Sequence, residues 1–319
     1  MIVLLAATGL LGQNVVRELV GRGIHVRALV RRPLDVPGVE VVNGNILSYE
    51  DLLNAAKGCS AIINCAGTTD MKLKRLEDYY PVNRDLPGNL CRLLTETGIR
   101  TLVHVSTANT VAPGTIQFPA DEKGPFDLPP FNRSLYAQSK MEGEKLLEEY
   151  SAANPSKRIL VLLPGFLLGA YDLKPSSGQL MDTAYRKRMV FVTRGGKSFV
   201  PVKDVAKAIA NALEMGESGR YLITGRAMPL KDFYKLQART MGYSQIVCVL
   251  PDFLAMAVGY LGDFLELLGF KLIFSSRNVR QLLYQEWYSH DKAKRLLDYK
   301  ETLVSQAIMD YFLWKSNKA

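Results

Sequence analysis

The chain has 319 residues, 48% of them hydrophobic, and its 40 Lys and Arg against 31 Asp and Glu give a formal net charge of +9. That is enough apolar material for a substantial core, as two domains or one large α/β domain. The basic residues are scattered, with no Lys/Arg block and no interleaved aromatic stripe, which argues against nucleic acid and leaves a solvated basic surface or a site for anionic phosphate. Cys59, Cys65, Cys91 and Cys248 form no Cys-x-x-Cys pair and no Cys/His cluster, so neither a disulfide framework nor a metal site is expected, and a reducing cytoplasm is the expected compartment.

The apolar start Met1-Ile2-Val3-Leu4-Leu5-Ala6-Ala7 lacks the basic region and cleavage site of a signal peptide and reads as a buried first strand. Further strands are expected at His25–Val30, Val39–Val42, Ala61–Asn64, Thr101–Val105 and Ile159–Leu163, each an apolar or β-branched run bounded by polar, Gly or Pro residues. Helices are expected between them at Gly9–Arg22, Tyr49–Ala56, Val82–Thr97 and Tyr136–Tyr150. Ser48 with Asp51 three residues on has the form of a capping box for the second helix. Pro113 to Pro130 is the longest loop. After Pro164-Gly165 the pattern loosens into helices near Asp204–Met215 and Leu230–Met241, strands near Arg220–Ile223 and Ile246–Val249, and a helical tail. Strands alternating with helices predict an α/β fold: a Rossmann-like doubly wound parallel sheet with a smaller C-terminal substrate-binding lobe. The expected division is residues 1–165 as the dinucleotide-binding domain carrying the catalytic helix, and 166–319 mostly as the lobe, with some segments returning to the core.

The segment Phe253–Phe274 is apolar, with Met256, Tyr260, Phe264, Leu267 and Leu268 near helical spacing. Asp263, Glu266 and Lys271 within it, and Asp252 before it, make spanning a bilayer costly. Core packing is the expectation, with a substrate lid or a membrane-touching face as alternatives.

A strand running into Thr8-Gly9-Leu10-Leu11-Gly12 and then a helix suits a pyrophosphate, because glycines permit the tight turn and helix N–H groups point at the anion. Where an NAD enzyme places an acid after the second strand, this chain has Val30-Arg31-Arg32-Pro33, and two guanidiniums favour the 2′-phosphate of NADP(H) over NAD(H). Tyr136 and Lys140 lie one helical turn apart and share a face, so the ammonium is expected to favour the Tyr136 phenolate.

Together these segments resemble the short-chain dehydrogenase/reductase superfamily in its extended, NAD-dependent epimerase/dehydratase form, near dihydroflavonol reductase-like and 3β-hydroxysteroid dehydrogenase-like enzymes. Ala6-Ala7-Thr8-Gly9-Leu10-Leu11-Gly12 is similar to the family's Thr-Gly-x-x-Gly-x-x-Gly turn, with Ala6 in place of its first glycine. Alanine there is expected to keep a negative φ and alter the turn slightly. Asn45-Ile46 resembles the segment near the adenine, Cys65-Ala66-Gly67-Thr68 the small-residue segment against the cofactor, and Pro164-Gly165-Phe166 the one beside the nicotinamide. Asn83 resembles a structural helix Asn, and Ser198 to Ala206 the late Phe-x-His-Val-x-Asp-Val-Ala segment, with Pro201 for the His. Tyr136-Ala137-Gln138-Ser139-Lys140 is the family's Tyr-x-x-x-Lys pair. By that resemblance Tyr136 gives a proton to a carbonyl oxygen or takes it back, and Lys140 contacts the nicotinamide ribose.

The family also has a Ser or Thr after strand five, where this chain places Ala108. Thr107 or Ser106 then substitutes, or Asn109 or Thr110 supplies the hydrogen bond, or the chemistry differs. Thr107 is the catalytic candidate and Ser106 a cofactor contact. The resemblance implies an NADP(H)-dependent oxidoreductase acting on a small-molecule ketone, aldehyde or alcohol, with a homodimer allowed. Two alternatives stay open: a nucleotide-sugar epimerase or dehydratase with tightly held NAD, and an NADP(H)-binding sensor or scaffold without chemistry.

Overall fold

The computed structural model describes residues 1–70, 73–173, 177–268 and 275–318. Its first half runs β1 (Ile2–Leu5), α1 (Leu10–Gly21), β2 (Val26–Val30), β3 (Val39–Asn43), α2 (Tyr49–Ala56), β4 (Ala61–Asn64), α3 (Leu86–Glu96), β5 (Thr101–Val105), α4 (Leu135–Ala153) and β6 (Arg158–Pro164). The second half runs β7 (Phe166–Leu168), α5 (Gly178–Ala184), β8 (Met189–Val192), β9 (Gly196–Pro201), α6 (Val202–Ala212), β10 (Gly219–Ile223), β11 (Ala227–Pro229), α7 (Leu230–Thr240), β12 (Ile246–Val249), α8 (Asp252–Leu267), α9 (Ser276–Leu283), α10 (Asp291–Leu297) and α11 (Val304–Ser316).

Seven strands form one parallel sheet in the order β10-β6-β5-β4-β1-β2-β3. Side chains alternate between the faces of a strand, so each central strand feeds two apolar layers. Ile2 and Leu4 of β1 face the layer of α1 and α6, while Val3 and Leu5 face the layer of α2 and α3. Leu160 and Leu162 of β6 repeat the first choice, and Ile159, Val161 and Leu163 the second. Burial on both faces explains why these strands read as continuous apolar runs.

The order reverses at β1, from which the chain winds to β2 and β3 on one side and β4 onward on the other. The crevice at the carboxyl ends of β1 and β4 is therefore the expected ligand site. β10 and α6 come from the second half of the chain yet sit in this large layer. The rest of that half makes a three-stranded sheet, β11-β9-β7, a two-stranded sheet, β12-β8, and a separate apolar cluster around Phe199, Phe233 and Tyr311.

Local chemistry departs from expectation at several points. Ser48 caps α2 by accepting from the Asp51 N–H at 3.2 Å, but the Asp51 carboxylate takes the Asn45 N–H at 2.7 Å rather than returning to Ser48. The third helix opens with a π-helical turn, Pro81–Asp85, before α3 begins at Leu86. The long loop is stitched to the C-terminal segment, Gly114 N donating to Trp287 O at 3.0 Å and Ser289 N to Ala120 O at 2.8 Å.

The expected negative φ at Ala6 is wrong: φ is +61°. The Ala6 carbonyl accepts the Gly9 N–H at 3.2 Å and lies where a Cβ on Gly12 would approach within 2.2 Å, so the turn is held in the left-handed region from both sides. An L-residue pays roughly 1–2 kcal/mol there, and glycine's larger unfolded-state entropy offsets about half of that. Ala6→Gly is therefore expected to stabilise the fold by about 0.5–1 kcal/mol, raising Tm by about 1–3 °C. A lower Tm in a thermal melt would show the strain to be absent.

The expectation of core packing for 253–274 is also overturned as far as residue 268; residues 269–274 lie outside those described. α8 turns Tyr260, Phe264 and Leu268 to solvent and buries Ala255 instead, because its small residues face α9. No helix among the described residues is long and apolar enough to cross a membrane.

Candidate active site

The site is assembled from the carboxyl ends of β1, β2, β4, β5 and β6 and the first turns of α4. After β1, Gly9 is the N-cap of α1 with extended dihedrals, and no side chain caps the helix. No acidic residue lies in its first turn, which leaves its N–H groups and dipole free for an anion. Leu11 and Gly12 are buried, Thr8 and Leu10 half-buried, and Gly12 has no room for a side chain. This cradle fits the pyrophosphate of a dinucleotide.

At the end of β2, Arg31 and Arg32 are exposed and have no ion-pair or hydrogen-bond partner among the described residues. Asn45 spends its side-chain oxygen on the Leu47 N–H at 3.1 Å, which leaves only its amide N–H groups for a ligand. Ile46 packs against the apolar layer beside α2. After β4, Ala66 is buried and Gly67 would put a Cβ 3.2 Å from the Lys140 Nζ. The Cys65 thiol is pushed up to about 12 by burial, so it is no nucleophile. Gly165, between β6 and β7, would direct a Cβ to 2.5 Å from the Ser198 carbonyl, and so marks the close passage between the two sheets; Pro164 is buried and Phe166 half-buried beside it.

α4 begins cleanly, with Ser134 accepting the Ala137 N–H at 3.4 Å. Its buried face contains Ala137, Lys140, Gly143, Glu144 and Leu147. Gly143 lies so close to the Asn83 carbonyl that a Cβ would come within 2.1 Å. The Asn83 side chain accepts from Thr68 N at 2.9 Å and donates to Thr68 O at 3.0 Å and Ser139 Oγ at 2.9 Å, tying the loop after β4 to α4. Lys140 Nζ donates to the carbonyls of Ala66 at 3.2 Å and Val105 at 3.0 Å. Burial lowers its pKa to about 8, against the opposing pull of Glu144, and the ammonium remains mostly protonated at neutral pH.

Tyr136 does not behave as its spacing to Lys140 suggests. Burial pushes the phenol up to about 12, and the charge of Glu144 adds to the rise. What opposes the rise is the nearby hydroxyl of Thr107. Thr107 Oγ1 also accepts the Asn109 N–H at 3.2 Å, which orients its proton. Of the hydroxyls considered after β5, Thr107 is thus the one that acts on the Tyr136 phenol. Ala108 is buried in the apolar layer within a 3₁₀ turn, Ala108–Thr110. Ser106 donates instead to Glu144.

Sequence reasoning missed that partner. Glu144 is buried beneath the site, its Oε2 3.0 Å from Arg220 Nε in a contact that is ionic rather than an aligned hydrogen bond. Burial raises its pKa, and Arg220 and Ser106 hold it down. Arg220, reaching in from β10, also donates to Thr110 O at 3.2 Å and Thr110 Oγ1 at 3.1 Å. The available signal was the register: positions 136, 140 and 144 fall on one helical face, so an acid was following Lys140 into the core. His104 on β5 is a second buried polar group, its Nδ1 3.0 Å from Asn64 Nδ2, and burial keeps it neutral.

A cavity of about 460 Å³ opens beside Ser134, between the 129–134 loop and α9. A second, of about 580 Å³, shares Arg280 and Tyr284 with it and extends to Met256 and Tyr260 on α8. Among the described residues no group of three or more His, Cys, Asp or Glu could hold a metal ion.

Comparison with known proteins bears on the family and the fold. Residues 2–224 match the NAD dependent epimerase/dehydratase family. A 4-hydroxy-2-methyl-3-oxo-4-farnesyl-3,4-dihydroquinoline-1-oxide ketoreductase of Stigmatella aurantiaca is 29% identical, over 95% of this chain and 92% of its own. A sterol-4-alpha-carboxylate 3-dehydrogenase, decarboxylating, of Dictyostelium discoideum is 24% identical over 96% and 98%. Among solved structures, gox2253 superposes with a TM-score of 0.82 at 23% identity, covering 100% of this chain and 98% of that one. MoeE5 in complex with UDP-glucuronic acid and NAD does so with 0.78 at 18%, covering 100% and 99%. At such identities the structures speak to fold alone. With its reversal point, its glycine turn and a family match over most of its length, the chain belongs to the NAD-dependent epimerase/dehydratase family and is an extended short-chain oxidoreductase.

Proposed function

We propose that the protein is an NADP(H)-dependent reductase of a ketone or aldehyde, also able to oxidise the corresponding alcohol, with Tyr136 as the acid/base group. The observation that carries this reading is the buried Lys140 one turn along α4 from Tyr136, with the nearby Thr107 hydroxyl opposing the rise in the phenol's pKa. NADP(H), when bound, supplies the hydride. The Gly9 to Gly12 turn holds the pyrophosphate, and Lys140, already directed at the Ala66 and Val105 carbonyls, is placed to meet the ribose.

A phenol raised to about 12 is fully protonated at neutral pH, and it is still a far stronger acid than the alcohol produced when the alkoxide of a reduced carbonyl takes up a proton. The environment therefore favours Tyr136 donating its proton to the substrate oxygen over removing one from an alcohol. Thr107 steadies the same oxygen. The ketoreductase name of the Stigmatella relative supports the same class of reaction. Consumption of NADPH against a panel of apolar ketones and aldehydes tests the proposal, with Tyr136→Phe as the control.

The choice of NADP(H) rests on Arg31 and Arg32, two unpaired guanidiniums where a 2′-hydroxyl ligand would be acidic. Arg31→Asp is expected to raise KM for NADPH by about 10- to 100-fold, the worth of one or two charge-assisted hydrogen bonds, while sparing NADH. Equal changes for both cofactors would remove the argument. Tightly held NAD, released on denaturation, would instead point to an epimerase or dehydratase.

A further inference from the structure

The surface of α8 is arranged the wrong way round for a helix that faces only water. Its inward side is made of small residues: Ala255 and Gly259 are buried, and a Cβ on Gly259 would lie 2.8 Å from the Ser276 Cα of α9. Its large apolar residues point outward, with Phe253 71% exposed and Tyr260 and Phe264 each 56% exposed, alongside Leu254, Val258 and Leu261. These three aromatic side chains alone show on the order of ~350 Å² at ~200 Å² each, already the size of the largest patch on an ordinary monomer. The two-stranded sheet that precedes α8 in the chain is also apolar outside. Its β12 strand leads directly into α8, and Met189, Phe191 and Ile246 stand exposed on it.

Charge around the patch identifies what covers it. Every carboxylate on α8 is already engaged: Asp252 with Arg194 at 2.9 Å, Glu266 with Lys74 at 3.4 Å, and Asp263 with the Ser276 N–H at 3.0 Å. The exposed Arg280 in the adjoining cavities has no ion-pair partner among the described residues. An apolar helix face with two of its three acids paired with cations, the third held by a backbone N–H, and an unpaired Arg280 beside it, on a chain of net charge +9, matches the acyl boundary and anionic headgroups of a bilayer. A second copy of the chain fits less well, because it would bring together two chains that each carry a net charge of +9.

We infer that α8 docks the protein on an anionic lipid surface, lying in the interface with Phe253, Tyr260, Leu261 and Phe264 among the acyl chains. The cavities then have a purpose. They run from Met256 and Tyr260 on the docked helix, past Arg280 and Tyr284, to Ser134 at the start of α4. An apolar carbonyl compound leaving the bilayer would be led along them as far as Ser134, two residues before Tyr136, a corollary that rests on the reductase reading whereas the docking does not.

The test is co-sedimentation of the purified full-length chain with phosphatidylcholine vesicles containing phosphatidylglycerol, with pure phosphatidylcholine alongside. Binding is expected to the anionic vesicles, weaker to the neutral ones, and reduced by high salt. Phe253→Ser with Phe264→Ser should lower the bound fraction by about tenfold or more per side chain, with an unchanged thermal melt. Val258→Glu, at another exposed position, is an independent second variant expected to act in the same direction. Failure of the wild type to bind anionic vesicles would overturn the inference, as would undiminished binding by well-folded variants. A wild-type dimer in light scattering that these substitutions convert to monomer would assign the face to self-association and overturn it too. NADPH consumption measured without vesicles reports on the proposed chemistry separately, so either reading can fail alone.

Discussion

Tyr136→Phe is expected to lower kcat for carbonyl reduction by roughly 10²- to 10⁴-fold while leaving NADPH affinity nearly unchanged. The substitution removes only the phenolic O–H. The ring, which lies 6.5 Å from that of Tyr79 centroid to centroid, keeps its packing, and Lys140 keeps its carbonyl partners. Thr107→Ala should cost about 10²-fold, since a positioned hydroxyl on the developing oxyanion is a donor of the oxyanion-hole kind. Thr107→Ser should recover most of the loss, because the hydroxyl and its Asn109 N–H donor are both retained. Steady-state kinetics with NADPH, together with a direct titration of cofactor binding, separates the outcomes. Turnover unaffected by Tyr136→Phe would dismiss the acid/base role, and a loss confined to NADPH binding would place Tyr136 among the cofactor contacts instead.

Arg220→Met is expected to destabilise the fold by about 3–5 kcal/mol, since it strips the cation from a buried carboxylate. Glu144 would then keep the hydroxyls of Ser106 and Thr110 and the weaker pull of the Lys140 charge. It lies under Ser106 and Thr110, which flank Thr107, so loosening it should also lower turnover. The pH dependence follows from the sign of the shift. Burial already raises the Glu144 pKa in the native state, and removing Arg220 raises it further. The folded variant then binds more protons than the unfolded chain at pH values above the ordinary carboxylate range, so its stability falls as pH rises. The deficit relative to wild type should be smallest near pH 4.5 and largest near neutrality. Adding Glu144→Gln removes the stranded charge and should restore much of the loss, a coupling visible in a double-mutant cycle of denaturant melts. A deficit under about 1 kcal/mol that ignores pH would mean that the pair does not carry the charge balance of this layer.

How far residues announce structure differs sharply along the chain. β1, β2, β4, β5 and β6 are apolar on both faces, and that double burial stands out in any linear reading. α2 and α7 show a regular amphipathic period. β7, β8, β9, β11 and α5 went unread because they are three to seven residues long and their apolar positions answer to one another across the lobe rather than along the chain. Ala6 carried the wrong sign of φ because its conformation is imposed by Gly9 and Gly12, its neighbours in the turn and not in the strand.

Local chemistry alone, written in spacing and residue type, determined the family, the parallel sheet and the glycine turn after β1, and put Tyr136 and Lys140 on one helical face. Each of those is a short-range pattern, set within a strand, a turn or one helical turn. Only the tertiary structure decided which hydroxyl after β5 meets Tyr136, that burial rather than Lys140 governs its proton, and that Arg220 from a distant strand holds Glu144 beneath the site. It also decided that α8 turns its large apolar side outward. These properties depend on what lies across a gap from each side chain, and solvent exclusion and charge pairing there belong to the packed molecule, not to any stretch of its sequence.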